Sequence, residues 1–446
     1  MIQTFMLQSR QPPLVQHSLV RAIGRWSLAA LTVNSVIGSG IFGLPSVIAG
    51  LAGNYSPWAV LLAGAAIGII IACWAEVASR FTEAGGPYLY ARVAFGRLSG
   101  IEVGWLLWLS QLAAPAANAN LFIIYLGEFW PHARNPVPRF FILTLLVGIL
   151  ALVNYRGVNA GTKVSNFFTI AKLLPLLTVV TVGTVYLLTP HHLLAAQSAA
   201  VPANVGNWLK AILLLVFAYG GFETALTPMA EAKDPKRDTA FALFAALALC
   251  TLLYTLIQWT VIGVVPDAAH SERPLADAAR LMMGRGGAAL ITIGALVSVY
   301  GYLSAKILAV PRVTFALAER GDFPSFFAVL HPRFRTPYIS ILIFAMLVWV
   351  LSLFGSFAWN LTLSAVARLF YYAIGCAALP VLRKKQPGEA KFHLPAGNFF
   401  AALGVIICGT LLTQVDRSKS IILAGTVVIA LLNWLWIRNR KEIEFQ

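Results

Sequence analysis

Apolar residues run through this chain in long blocks, separated by short polar stretches rich in arginine and lysine. Blocks of about 18 to 25 residues match the helix length needed to cross roughly 30 Å of hydrocarbon. Twelve can be counted, near residues 26–52, 58–79, 99–128, 138–154, 162–188, 207–231, 238–264, 288–318, 337–354, 359–382, 397–414 and 420–438. In lipid every backbone N–H and C=O needs a partner within the segment, so each block predicts a helix and the chain as a whole an all-α polytopic membrane protein. The first, third, sixth and eighth blocks are longer than a perpendicular crossing requires, which predicts tilt, breaks or protruding ends.

Two blocks carry helix-breaking residues near their middle. In the first, Thr32-Val-Asn-Ser-Val-Ile-Gly-Ser-Gly-Ile-Phe-Gly-Leu-Pro-Ser46 contains Gly38, Gly40, Gly43 and Pro45. In the sixth, Leu215-Val-Phe-Ala-Tyr-Gly-Gly-Phe-Glu-Thr224 places Gly220 and Gly221 together, with Glu223 just beyond. A broken helix leaves backbone dipoles unpaired at a cost of several kcal/mol each, and is tolerated where it lines a cavity or a ligand completes the bonding. The helical piece that starts after such a break suits a carboxylate, and the piece that ends there offers carbonyls to a cation or an ammonium. An amino acid zwitterion satisfies both. The competing reading, intact spans whose glycines allow close packing, stays open at this point.

Breaks in the first and sixth spans, five spans apart, predict two five-helix repeats of opposite orientation, 26–188 and 207–382, related by a pseudo-two-fold axis in the membrane plane. Helices eleven and twelve (397–438) fall outside the repeat, between terminal segments 1–25 and 439–446.

Composition narrows the class. With 59% hydrophobic and 11% charged residues in 446, the chain reads as one membrane body with no soluble domain. Its net charge of +16 could signal nucleic acid, but the basic residues fall in patches between apolar blocks rather than along one face. If the termini are cytoplasmic, 22 of the 33 lysines and arginines lie in cytoplasmic segments and 7 outside, which places both termini inside. The other 4, Lys172, Lys210, Lys306 and Arg368, lie within spans. Residues 1–25 show no apolar core of a signal peptide. Cys73, Cys250, Cys376 and Cys408 sit in apolar blocks without C-x-x-C spacing and read as buried thiols. No histidine lies in a span, and neither an acidic cluster nor a P-loop is present, so the sequence predicts no metal, no cofactor and no enzyme.

Polar groups within the spans are candidate functional residues. Lys172 lies about ten residues into span five, about 15 Å from its end, and there can gain and lose a proton during a cycle or serve as a fixed structural charge. Lys306 in span eight either faces the cavity, disfavouring cationic substrates, or pairs with Glu223 or Glu102. Arg368 in span ten is expected toward the cytoplasmic half, in a structural or gating role. Asn118 and Pro115 in span three either line the pocket or pack helices together. Between spans two and three, Gly85-Gly-Pro-Tyr-Leu-Tyr90 with Arg92 predicts a short interfacial helix.

Four stretches, in order, carry a family likeness: Gly38-Ser-Gly-Ile-Phe42; Gly85-Gly-Pro-Tyr-Leu-Tyr90; Phe217-Ala-Tyr-Gly-Gly-Phe-Glu223 followed by Glu231-Ala-Lys-Asp-Pro-Lys-Arg237; and Ala318-Glu-Arg-Gly-Asp-Phe-Pro324. Over residues 22–385 the chain resembles the amino acid, polyamine and organocation transporter superfamily, on the side of its proton-coupled permeases and basic amino acid antiporters. The resemblance implies the leucine-transporter-type fold and a substrate site at the breaks, Val36, Ile37, Gly38, Ser39, Gly40, Phe217, Tyr219 and Gly220, to which Asn118 and Lys306 are added as candidates from their places in spans three and eight. Amides of Ser39 and Gly40 would take the carboxylate, and carbonyls of Val36, Phe217 and Gly220 the ammonium. Phe217 would be the aromatic gate, often Trp in relatives, and its smaller ring argues against an arginine substrate. Lys172 and Glu223 would couple transport to protons, Lys172 standing where sodium-coupled relatives hold their ion; Glu223 reads equally as a carboxylate at a helix N-terminus that bonds backbone amides. The expected partners are an amino acid, protons and the bilayer, and the expected setting is a bacterial inner membrane. Obligate exchange of amino acids or polyamines, and a non-transporting nutrient sensor, share these features.

Overall fold

The computed structural model describes residues 24–81, 85–157, 162–189, 204–226, 234–388 and 390–438. Among these residues fifteen α-helices follow one another: α1 (Arg25–Val36), α2 (Gly40–Ala52), α3 (Ser56–Ala78), α4 (Gly86–Phe95), α5 (Arg97–Leu126), α6 (Pro136–Arg156), α7 (Thr162–Leu188), α8 (Val205–Tyr219), α9 (Phe222–Ala225), α10 (Pro235–Val264), α11 (Pro274–Glu319), α12 (Tyr338–Phe354), α13 (Phe357–Lys385), α14 (Gly397–Leu412) and α15 (Arg417–Ile437). No strand occurs among the described residues. Among the described residues eight helical stretches are long and apolar enough to cross a membrane, the first of them the run of α2 and α3, while α8, α12 and α14 are shorter apolar helices. The chain is thus a polytopic membrane protein whose twelve crossings follow the predicted order, with α1 and α2 sharing the first and α8 and α9 the sixth.

Local chemistry sets several helix ends. Asn204, Ser356 and Asp416 each stand at an N-cap, where the side chain accepts from a backbone N–H of the first turn that has no partner within the helix. The predicted span eight, 288–318, lies within the longer α11, where Gly284, at φ 70°, turns the chain between a short leading piece and the piece that holds the span.

The predicted inverted symmetry is visible in which helices pack together. α10 lies on α1 as α3 lies on α8; α13 lies on α5 as α7 lies on α11; and α13 meets α3 as α7 meets α10. Each of these contacts between the halves has its counterpart with the roles of the halves exchanged. The two halves therefore enclose a common centre.

The short helix after span two forms, as α4, but not with one face left to the interface. Pro87, Tyr88, Leu89, Tyr90, Ala91 and Ala94 are all buried, and the helix packs on α5 and α13. Its polar side chains are spoken for by Asp322, which bonds Tyr88 and Arg92 and accepts from Arg97 Nε at 2.7 Å. Asp322 is itself fully buried, and Asn433 of α15 donates to its carbonyl at 2.8 Å. The Gly-Asp-Phe-Pro motif after span eight thus anchors α4. Residues 231–233 of the family-like motifs lie outside the described residues.

Candidate substrate-binding site

Both predicted breaks are present. α1 ends at Val36, Ile37 turns to an extended conformation (φ −72°, ψ 98°), and α2 begins at Gly40. α8 ends at Tyr219, followed by extended Gly220 (φ −73°, ψ 158°) and by Gly221 at φ 118°. The two breaks touch. A Cβ on Gly221 would stand 2.3 Å from the Ser35 carbonyl oxygen, and one on Gly40 would stand 2.9 Å from the Ala218 Cα. Gly221 is therefore required twice over, by its left-handed backbone and by the close approach.

Between the breaks lies a narrow cavity. Its walls are Ser35, Val36, Gly38, Ser39 and Gly40 from the first break and Phe217 and Gly220 from the second. Asn118 of α5, Tyr302 of α11 and Arg368 of α13 complete it. Two polar atoms on these walls, Ser39 Oγ and Asn118 Oδ1, are buried without a hydrogen-bond partner among the described residues. The Asn118 amide nitrogen is engaged, donating to the Ala114 carbonyl at 2.8 Å. Buried polar atoms left unpaired cost about 1–3 kcal/mol, and this pair offers a polar ligand in the cavity two partners. α2 starts at the same wall, its Phe42 and Gly43 N–H groups donating to the Ser39 carbonyl at 3.1 and 3.2 Å.

Three side chains hold the broken ends. Tyr254 of α10 donates to both halves, to the Ala218 carbonyl at 3.1 Å and the Val36 carbonyl at 3.3 Å. Lys172 of α7, 7% exposed, donates to the carbonyls of Asn34 at 2.5 Å and Ile37 at 2.8 Å, so its ammonium sits in the bend of span one. Arg368, 2% exposed, donates from Nη1 to the Phe217 carbonyl at 3.3 Å and from Nε to Ser110 Oγ at 3.2 Å. Its Nε also lies 3.5 Å from Glu223 Oε1. Glu223 accepts from Tyr371 and Tyr372 at 3.0 Å each and from the Gly221 N–H at 2.8 Å.

Of the residues expected at the substrate site, Val36, Gly38, Ser39, Gly40, Asn118, Phe217 and Gly220 line the cavity. Ile37 does not, because its carbonyl is taken by Lys172 and its side chain is buried at 1% exposure. Tyr219 points away, its hydroxyl donating to the Val60 carbonyl at 3.0 Å. Lys306 pairs with neither carboxylate offered for it; its ammonium bonds Gln111 Oε1 at 2.7 Å and stands 5.4 Å from the ring centre of Tyr302, which lines the cavity in its place. Glu223 and Lys172 each stand beside a break, one per half. The expectation for Arg368 needs correcting, since it belongs to the cavity wall itself. Tyr302 and Tyr254 are not among the expected residues because each reaches the centre through packing between distant spans, and Ser35 joins them on the wall from α1 itself, next to Val36.

A bundle of membrane-spanning helices, with two of them broken side by side around a polar cavity, defines a carrier of small solutes. The chain belongs to the amino acid permease family, whose pattern it matches over residues 23–432. Among similar proteins are the methylthioribose transporter of Bacillus subtilis, 27% identical over 88% of this chain and 87% of that protein, and the branched-chain amino acid permease BcaP of the same organism, 26% identical over 95% and 92%. The serine/threonine exchanger SteT of B. subtilis is 27% identical over 92% of this chain and 95% of its own. These are transporters, and the chain is an amino acid permease of the membrane rather than an enzyme.

Proposed function

We propose that the protein is a secondary active transporter that moves an amino acid by alternating access around the paired breaks, coupled to protons and independent of sodium. The observation that carries this is Lys172: its covalently attached ammonium occupies the two carbonyls, Asn34 and Ile37, that would otherwise be free to ligate a metal cation. A proton arriving at or leaving Nζ makes or breaks those contacts, and so changes how firmly the bend of span one is held. Glu223, the acidic group at the second break, is the partner site for coupling. Substrate recognition rests on backbone groups at Val36, Ser39, Gly40, Phe217 and Gly220, which read the amino and carboxyl groups common to all amino acids. The distribution of lysine and arginine supports cytoplasmic termini, and a bacterial inner membrane is the setting this orientation fits.

Purified protein in proteoliposomes tests this. An outside-acid gradient should drive accumulation of an amino acid with sodium absent from both sides, and Lys172→Gln should abolish the response to that gradient. Strict dependence on sodium, or an unchanged response in Lys172→Gln, would overturn the coupling. The similarity to the serine/threonine exchanger supports a second reading, obligate exchange. Exchange requires that flux vanish unless amino acid is loaded on the opposite side.

A further inference from the structure

We infer that Arg368 is the second-half counterpart of Lys172 and occupies the ammonium subsite of span six until the substrate's own ammonium replaces it. The inference rests on the amino acid transporter reading and assigns a role to a residue that reading does not use. The ends of the two broken helices provide the alignment: setting Val36, the last residue of α1, against Tyr219, the last of α8, sets Asn34 against Phe217 and Ile37 against Gly220. Lys172, on the fifth span of the first half, donates to the carbonyls of Asn34 and Ile37. Arg368, on the fifth span of the second half, donates to the carbonyl of Phe217, the equivalent of Asn34, and its guanidinium lies against Gly220 so closely that a Cβ there would be 1.3 Å from Nη1. Each half therefore places a cation from its last span on the same carbonyl of its broken first span.

The counterparts differ in where they can go. Lys172 has no acidic partner among the described residues, and its contacts lie on the bend of span one rather than on the cavity wall. Arg368 lines the cavity, stays tied to Ser110 through Nε, and has Glu223 within 3.5 Å to receive it. The first half shows what such a carbonyl set accepts, which is an ammonium. An α-ammonium that enters the cavity takes the Phe217 carbonyl from Nη1, and the guanidinium turns onto Glu223. Substrate occupancy is in this way reported to the contact between spans six and ten. Arg368 is a positioning residue that competes with one end of the substrate.

The test compares two ligands on one protein. In the full-length chain, affinities are measured for an amino acid found by thermal-shift screening of the twenty amino acids, and for its desamino analogue, which keeps the carboxylate and side chain but has no ammonium. Arg368→Gln should tighten binding of the amino acid about 3- to 10-fold, leave the desamino analogue within 2-fold, and slow amino acid flux at least 10-fold. Equal changes for both ligands, or weaker binding of the amino acid, would overturn the inference, because a purely structural arginine does not distinguish them. Should Arg368→Gln fail to give a monodisperse protein, the Arg368→Gln, Glu223→Gln pair leaves no buried charge alone and must show the same ligand contrast. Failure of the unaltered protein to bind any amino acid would instead remove the transporter reading on which the comparison stands.

Discussion

The two breaks at the centre of the molecule are built on one plan and secured by different chemistry. At the first, a lysine ammonium bonds two main-chain carbonyls and nothing acidic pairs with it among the described residues. At the second, an arginine bonds one carbonyl and a serine and is drawn to a buried glutamate that two tyrosines and a backbone amide also serve. A cation held only by neutral dipoles can lose its proton and leave behind a neutral site. A cation that faces a buried carboxylate is bound into a pair, and an arginine remains charged in any case. The same position in an inverted repeat is thereby divided between a group suited to carrying a proton and one suited to carrying geometry.

That division predicts unequal costs on removing each charge, and the largest effect belongs to the second half. Arg368→Ala would leave Glu223 buried and unpaired, a loss of about 3–5 kcal/mol. Lys172→Ala leaves only two carbonyls without a donor, about 1–3 kcal/mol. Thermal denaturation in detergent should therefore rank Arg368→Ala well below Lys172→Ala. Removing Glu223 together with Arg368 should recover most of the difference. Equal losses in the two single variants would dissolve the distinction between a paired cation and an unpaired one.

A smaller contrast separates the glycines. Gly221 has a left-handed backbone and its missing Cβ would meet the Ser35 carbonyl at 2.3 Å, whereas a Cβ on Gly38 would touch the Tyr302 ring at an ordinary 3.7 Å. Gly221→Ala should destabilise by more than about 2 kcal/mol and push the breaks apart. Gly38→Ala should stay within about 1 kcal/mol of the parent in the same melting assay. Gly221 would then fix the spacing between the halves together with Gly40, whose Cβ would stand 2.9 Å from the Ala218 Cα.

How much of this could be read in the chain follows from the distance over which each feature acts. The breaks are local, since Gly38 and Gly40, or Gly220 and Gly221, interrupt a helix by their own lack of side chains, and their spacing along the chain carries the inverted repeat. Lys172 was legible for a related reason: a lysine at that depth needs acceptors, and the bend of span one supplies them. Arg368 was equally visible as a charge, but its target depends on how α13 leans against α8, which nothing in the pattern of either span encodes. Tyr254 and Tyr302 gave no signal at all, being aromatic residues in apolar helices whose usual role is packing. The repeat itself held the missing clue, because a cation on the fifth span of one half directs attention to the cation on the fifth span of the other. Asp322 shows the opposite case, a motif recognised in the sequence whose purpose, holding Tyr88, Arg92 and Arg97, appears only when α4 is seen buried.

Tyr254 belongs to neither half of the comparison, because its hydroxyl bonds a carbonyl of each broken helix. Tyr254→Phe should cost about 1–2 kcal/mol, the value of a buried hydroxyl whose acceptors lose their donor. Its effect on stability should be the same whether or not Lys172 or Arg368 is also replaced, since a clamp on both helices favours neither cation. A double-mutant cycle measured on stability reads this directly. Strong coupling to one cation alone would assign Tyr254 to that half.

The smallest effect concerns Tyr219, which stands at the very end of α8 beside Gly220 yet turns its ring from the cavity. Its hydroxyl donates to the Val60 carbonyl of α3 at 3.0 Å, and the residue is 1% exposed. Tyr219→Phe keeps the ring and its packing and removes one neutral hydrogen bond, a loss of about 1 kcal/mol. Substrate affinity should stay within about 2-fold, because the carbonyls at the end of α8 that face the ligand are main-chain groups and keep their places. A Phe217 substitution of similar size, on the cavity wall and under the Arg368 guanidinium at 5.7 Å, changes both the wall and the cation above it and should shift affinity more. Measured side by side, the two neighbours decide whether recognition at the second break lies in the residues that line it or extends to the helix end that carries them.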